Sequence, residues 1–100
     1  MKIVEKLTNH DLELFVSGRI DTVTAPELEA KIKEKFPSCL EISLDLSSVE
    51  YISSAGLRVV LAAYKAAGKT KRFIIKNPSP FCMQVFEATG MAPLLNIVNS

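Results

Sequence analysis

The residues best placed to do chemistry are two adjacent serines, Ser53 and Ser54, in the segment Tyr51–Arg58, which has the sequence YISSAGLR. They lie between a polar connection and the first apolar residue of a predicted helix. Backbone N–H groups at the start of a helix have no acceptor within the helix, and the positive end of the helix dipole lies there. A phosphate on Ser54 would lie beside those donors, so the segment is a candidate modification site. The structural alternative is that one of the two serines only caps the helix.

Catalytic chemistry has little support in the sequence. A serine hydrolase needs a general base, and the one histidine, His10, falls in a predicted turn near the N-terminus. The serines lack the Gly-x-Ser-x-Gly pattern of a nucleophile elbow, and no glycine-rich nucleotide-binding loop is present. One histidine and two distant cysteines, Cys39 and Cys82, give no metal-ligand spacing. We therefore expect no enzymatic activity, no cofactor and no metal, and we expect both cysteines to be reduced thiols in the core.

Two weaker patterns remain open to two interpretations each. The basic cluster Lys69–Arg72 either keeps a strand start solvated or contacts a phosphate. The predicted helix after the serines carries small and charged residues away from its apolar stripe: Arg58, Ala62, Ala63, Lys65 and Ala66. This face could let a partner approach closely, or its alanines could simply favour the helix.

Hydrophobic periodicity gives the elements that must position the serines. The predicted strands are Lys2–Leu7, Leu12–Ser17, Leu40–Leu46 and Phe73–Ile75, with a last strand or helical turn in 94–98. The segment 47–52 is predicted to be a polar connection, and residues Leu40, Ile42, Leu44 and Leu46 to form one buried face. Alternation of strands and helices predicts an α/β fold, a small mixed sheet of four to five strands with helices mainly on one face.

Caps and stripes define the three predicted helices. The first starts at Ala25, with Thr24 as its cap and Glu27 completing a capping box, and ends before Pro37. The second has the apolar stripe Leu57, Val60, Leu61 and Tyr64 and stops at Gly68. The third has Ser79 as its cap and Pro80 in its first turn, carries Phe81, Val85 and Phe86, and stops at Thr89-Gly90.

Composition narrows the class of protein. The 100 residues suit one domain spanning 1–100, and 48% hydrophobic residues argue against disorder. A net charge of +1 disfavours direct binding of nucleic acid or of an acidic membrane surface. The N-terminus has no apolar run of the signal-peptide kind, and no apolar stretch is long enough for membrane insertion. We expect a cytoplasmic protein.

Two segments carry a family resemblance. The segment Asp45–Lys65, DLSSVEYISSAGLRVVLAAYK, resembles the signature region of the STAS domain, the family of bacterial anti-sigma factor antagonists. The upstream segment Gly18–Ala25, GRIDTVTA, resembles the family's Gly-x-Leu/Ile-Asp-x-x-x-Ala pattern. Because the order and length of the elements also fit, the resemblance covers nearly the whole chain and implies a STAS-like fold.

The resemblance also assigns roles to single residues. Ser54 matches the serine that is phosphorylated in family members by a kinase that doubles as the anti-sigma factor, and Asp21 matches an acidic residue near that site. The implied partner-binding residues are Asp21, Ser53, Ser54, Gly56, Leu57 and Arg58. Gly56 would allow tight packing or close approach of a partner, since it has no Cβ. The chain departs from the family pattern twice, with Ser53 in place of an Asp and Ala55 in place of a second hydroxyl.

The function implied by the resemblance is regulation of transcription by partner switching. The form that is unphosphorylated at Ser54 would bind an anti-sigma factor serine kinase and so release a sigma factor. Phosphorylation would end the binding, and a phosphatase would restore it. The alternative is a STAS subunit of a transporter or scaffold complex that does not switch.

Overall fold

The computed structural model describes residues 1–100 and contains five strands and three helices in one mixed α/β arrangement. The strands are β1 (Lys2–Thr8), β2 (Asp11–Ile20), β3 (Glu41–Ile52), β4 (Arg72–Lys76) and β5 (Asn96–Val98). The helices are α1 (Ala25–Lys35), followed by a 3₁₀ turn at Phe36–Ser38, then α2 (Ser54–Ala67) and α3 (Pro80–Ala88). No helix is both long and apolar enough to cross a membrane.

The sheet has the order β1-β2-β3-β4-β5. An antiparallel hairpin through Asn9-His10 joins β1 to β2, and each later strand pairs in parallel with the one before it. Because right-handed crossovers that always step in one direction leave their helices on one side, α1, α2 and α3 all cover the same face. Their apolar residues join the inward side chains of the sheet in one core of 23 buried residues. The predicted fold class is confirmed.

Strand β3 is longer than the sequence predicts. Residues 47–52, predicted to be a polar connection, continue the strand up to Ile52, since two register shifts in the pairing with β2 let the ladder extend past the polar positions. Leu40, predicted to be buried, lies outside the strand and is 61% exposed. Ser43 and Asp45 are buried on the opposite face, so burial does not alternate as predicted. The extension of β3 brings the serines to the sheet edge where β2 also ends.

The start of α1 differs from the predicted capping box. Thr24 has helical backbone angles and its side chain makes no cap bond within α1. Its hydroxyl instead accepts from the N–H of Asp21 at 2.8 Å, while Asp21 Oδ1 accepts from the N–H of Thr24 at 3.0 Å. The N–H of Ala25 also donates to the carbonyl of Asp21. The reciprocal pair of a capping box is therefore formed by Asp21 and Thr24, three residues before the predicted one, and Glu27 has no part in it.

The predicted ends of α2 and α3 are confirmed, but the residues of α2 that are buried differ from those predicted. Ser79 caps α3 by accepting from the N–H of Cys82 at 3.2 Å, and Gly68, with φ +51°, ends α2. The residues of α2 that are buried are Gly56, Val59, Val60, Ala63 and Ala67, whereas Leu57, Leu61 and Tyr64 are half-buried beside the core. Ala63, predicted to lie off the stripe, is therefore a core residue. Cys39 and Cys82 are buried free thiols, as predicted.

Candidate functional site

The structure separates the roles of the two serines. Ser53 is the N-cap of α2, with extended backbone angles, and its Oγ accepts from the N–H of Gly56 at 3.4 Å. Ser54 is the first residue of the helix, is exposed, and its hydroxyl forms no hydrogen bond within the chain. The expectation that one of the two serines caps the helix is therefore confirmed for Ser53, and Ser54 does not hold that position.

The surroundings of the Ser54 hydroxyl suit an anion. The first backbone hydrogen bond of α2 runs from the N–H of Leu57 to the carbonyl of Ser53, so the N–H groups of Ser54 and Ala55 have no acceptor in the chain. They lie at the positive end of the helix dipole. A phosphate on Ser54 would therefore find unused donors, with no need to break an existing side-chain bond.

Gly56 holds the start of α2 tightly against the ends of two strands. A Cβ at this position would lie 2.7 Å from Ile20 Cγ2, 2.8 Å from Ile52 Cγ1 and 3.2 Å from the carbonyl oxygen of Ile20. No ordinary side chain fits at such distances. Gly56 is itself buried, so the tight-packing role is the one the geometry supports, and a direct contact between Gly56 and a partner is not.

Asp21 belongs to the same edge of the sheet as the serines. The N–H of Ser53 donates to the carbonyl of Ile20 at 2.8 Å, which fixes the cap of α2 beside the residue that precedes Asp21. Asp21 Oδ1 accepts from the N–H groups of Val23 and Thr24, each at 3.0 Å. The bond from Thr24, together with that from Val23, holds the pKa of the Asp21 carboxyl below its usual value. Asp21 is thus an ionised cap whose other oxygen remains available, in loose contact (3.9 Å) with Arg19.

The remaining predicted partner-binding residues differ in accessibility. Arg58 is exposed one turn beyond Ser54, whereas Leu57 is half-buried and packs against the core. Ala55, which replaces the family's second hydroxyl, also packs against the core. Ser54 and Arg58 therefore form the accessible part of the predicted set on α2, and the others position them.

Sequence reasoning missed an aromatic cluster that continues from Asp21. The Arg19 guanidinium lies 4.2 Å above the ring of Tyr51, and that ring is 5.4 Å from the ring of Phe81 at the start of α3. Arg19 and Phe81 are exposed and Tyr51 is half-exposed. The sequence predicts a connection at Tyr51, so it does not indicate that the long β3 places this residue between Arg19 and α3.

Comparison with known proteins agrees with the fold. The family model described as "Mlab, STAS domain" matches residues 3–96 of the chain. The anti-sigma-B factor antagonist of Listeria monocytogenes is 29% identical over 101 residues, covering 99% of this chain and 88% of that protein. A putative anti-sigma factor antagonist of Bordetella bronchiseptica, BtrV, is 31% identical over 102 residues, covering 100% of this chain and 88% of that protein.

A solved structure extends the similarity to three dimensions. The crystal structure of an anti-sigma factor antagonist from Mycobacterium paratuberculosis superposes with a TM-score of 0.87 and 30% identity, covering 96% of this chain and 83% of that one. The sequence match spans both the Gly18–Ala25 segment and the Asp45–Lys65 segment. The chain belongs to the STAS domain family, among relatives that are anti-sigma factor antagonists.

Proposed function

We propose that this protein is an anti-sigma factor antagonist whose binding is switched off by phosphorylation of Ser54. Its partner would be an anti-sigma factor that also acts as the serine kinase, and a phosphatase would return the protein to its binding form. The observation that carries the proposal is the exposed hydroxyl of Ser54 at the first position of α2, free of the capping role that Ser53 performs. The family membership supplies the class of partner.

The replacement of the family's Asp by Ser53 does not remove the cap. Asp and Ser are comparable N-cap residues because each presents an oxygen to the first free N–H groups. The replacement does remove one negative charge beside Ser54. Before phosphorylation, the surface around Ser54 therefore carries less negative charge than the family pattern would give it. Adding a phosphate then changes the charge of this surface by a larger proportion than it would if the Asp were present.

Phosphorylation would act on binding rather than on folding. A phosphate of charge about −1.5 to −2 is stabilised by the free N–H groups of Ser54 and Ala55, so the modified chain stays folded. In a complex the same group would be desolvated against the partner without a counter-charge supplied by this chain, except for Arg58 one turn away. The cost appears as faster dissociation of the partner.

The protein would act by binding alone. Ser54 has no histidine near it in sequence or in its hydrogen bonds, since His10 lies in the exposed β1–β2 hairpin at the other end of β2. We infer an adaptor that works in the cytoplasm, where its sigma factor would be, and that forms no direct contact with nucleic acid.

Incubation with ATP and the anti-sigma factor kinase that the protein binds tests the proposal. Intact mass should show one added phosphate, and peptide mapping should place it on Ser54. The Ser54→Ala variant should gain none, while the matched Ser53→Ala variant should still be modified. A phosphate on Ser17 or Ser79 would contradict the switch. A complex with the partner that persists in the presence of ATP, with no phosphate added to the chain, would also contradict it and would favour a non-switching STAS subunit.

A further inference from the structure

An apolar groove lies between α1 and α2. Its volume is about 370 Å³, and its apolar lining comes mainly from Ile32, Phe36, Val59, Ala62, Ala63 and Ala66. Ile32, Val59 and Ala63 are buried, whereas Ala62 and Ala66 are exposed. The groove exists because α2 presents alanines where a larger side chain would fill the space. Its volume is at the lower end of those that bind small organic ligands.

One end of the groove carries a positive charge without a counter-ion. Lys71 lines the groove, and its Nζ donates to the carbonyl oxygen of Cys39 and lies 5.6 Å from the centre of the Phe36 ring. None of the ion pairs in the structure includes Lys71. The other two charges at the rim cancel, since Lys33 Nζ pairs with Glu29 Oε1 at 3.7 Å.

The two features together define a ligand class. A half-buried ammonium that contacts a carbonyl and an aromatic ring has unused donor capacity, because an ammonium carries three N–H groups. A carboxylate would satisfy it with a charge-assisted hydrogen bond, and a hydrocarbon body would cover the alanines and Phe36. A neutral or cationic ligand would lack the first of these interactions.

We propose that the α1–α2 groove binds a small anionic amphiphile, a monocarboxylate with an unbranched apolar tail, whose head pairs with Lys71. The tail lies along Phe36, Ala62 and Ala66. The α2 residues Ser54, Arg58, Ala62 and Ala66 succeed one another at intervals of four, so they form one stripe along the helix. The groove is therefore a second site, on the same helix as Ser54 but at its opposite end.

Decanoate, used below its critical micelle concentration, is a suitable probe. Titration followed by ¹⁵N NMR should shift the amide signals of Phe36, Ala62, Ala66 and Lys71 in a saturable way. Decanol and decyltrimethylammonium have the same tail, and each should bind with about one fifth of the affinity of decanoate or with a lower affinity. Equal binding of the three probes would overturn the role of Lys71, and shifts spread over other surfaces would overturn the site.

Variants distinguish binding in the groove from non-specific hydrophobic binding to the protein surface. Ala66→Phe should fill the groove and abolish decanoate binding, while the control Ala30→Phe places the same ring on an exposed position of α1 outside the groove and should leave binding unchanged. Lys71→Met should lower the affinity for decanoate about fivefold and leave the affinity for decanol unchanged. Lys71→Arg should bind decanoate as the parent does. Unchanged decanoate binding by Ala66→Phe would refute the proposal. None of these measurements needs the anti-sigma partner, so the outcome is independent of the Ser54 switch.

Discussion

The backbone N–H of Ser53 donates to the carbonyl oxygen of Ile20 at 2.8 Å, and this bond joins the cap of α2 to the end of β2. Because β2 and β3 run in parallel, both end at the same edge of the sheet. Two predicted site residues follow the bonded pair in sequence, Asp21 after Ile20 and Ser54 after Ser53. The contact of Gly56 with Ile20 reinforces the bond from the side of the helix. The exposed serine therefore stands on a rigid support.

Substitution of Gly56 tests that support. Gly56→Ala should lower the free energy of unfolding by about 1–3 kcal/mol, because the new Cβ would overlap Ile20 and Ile52. Alanine would otherwise gain about 1 kcal/mol in a helix, so any net loss understates the strain. Urea unfolding measures the change. A variant as stable as the parent would show that α2 can move away from β2 at no cost in free energy. The inference that Ser54 is held by a rigid contact between α2 and β2 would then be wrong.

The two serines should differ in their effect on stability. Ser53→Ala should cost about 0.5–1 kcal/mol, towards the lower end for a cap because the bond to the Gly56 N–H is long at 3.4 Å. Ser54→Ala should be close to neutral, since its hydroxyl has no partner in the chain. Ser53→Asp should keep the cap and restore the family's residue. Thermal unfolding of the three variants decides the order, and a larger loss for Ser54→Ala than for Ser53→Ala would reverse the assignment.

Asp21 should combine a structural and an electrostatic role that two substitutions separate. Asp21→Asn keeps an oxygen for the N–H groups of Val23 and Thr24, so its Tm should stay near that of the parent, while the loss of charge should slow phosphorylation of Ser54 or weaken partner binding. Asp21→Ala should lose the cap as well and lower the Tm by several degrees. If Asp21→Asn were phosphorylated and bound as the parent is, Asp21 would be a cap only.

Stability should fall at acid pH through the hydrogen-bonded carboxylates. Burial raises the pKa of Asp45, but bonds from the Ser47 hydroxyl and N–H and from Asn77 outweigh it and leave the pKa below its usual value. A carboxyl whose pKa is depressed by folding stabilises the protein above its unfolded pKa of about 4, and this contribution is lost as the pH falls through the folded value. Denaturation curves from pH 7 to pH 2 should show a smaller acid loss in Asp45→Asn than in the parent. An identical loss would mean that Asp45 does not contribute.

The sequence predicted the fold more fully than the details of the site. Periodicity and the Ser79 cap predicted α3 and the order of the elements, because those signals are local. The extension of β3 through Ser47 and Ser48 depends on register shifts against β2, which a single strand's pattern does not encode. The cap at Asp21 was missed for a related reason: Thr24 and Asp21 are both good caps, and the choice depends on how β2 delivers the chain to α1.

Motif matching likewise identified Ser54 and Gly56 but not the cluster formed by Arg19, Tyr51 and Phe81. Ser54 and Gly56 were found because their segment repeats a family pattern, and the structure gives each a distinct physical role. The contact of Arg19 with the face of the Tyr51 ring, and the tilted contact between the rings of Tyr51 and Phe81, join three elements far apart in sequence. Such a cluster depends on tertiary packing, and the spacing of these residues in the sequence does not predict it.

The proposed switch requires that a phosphate on Ser54 ends partner binding without unfolding the chain. The most direct test is the affinity of the anti-sigma partner for the chain with phosphoserine at position 54, compared with the unmodified chain and with Ser54→Ala. We predict that the phosphorylated chain binds at least about 100-fold more weakly and melts no earlier than the unmodified chain, while Ser54→Ala binds as the unmodified chain does. Equal affinity of the phosphorylated and unmodified chains, both folded, would contradict the account.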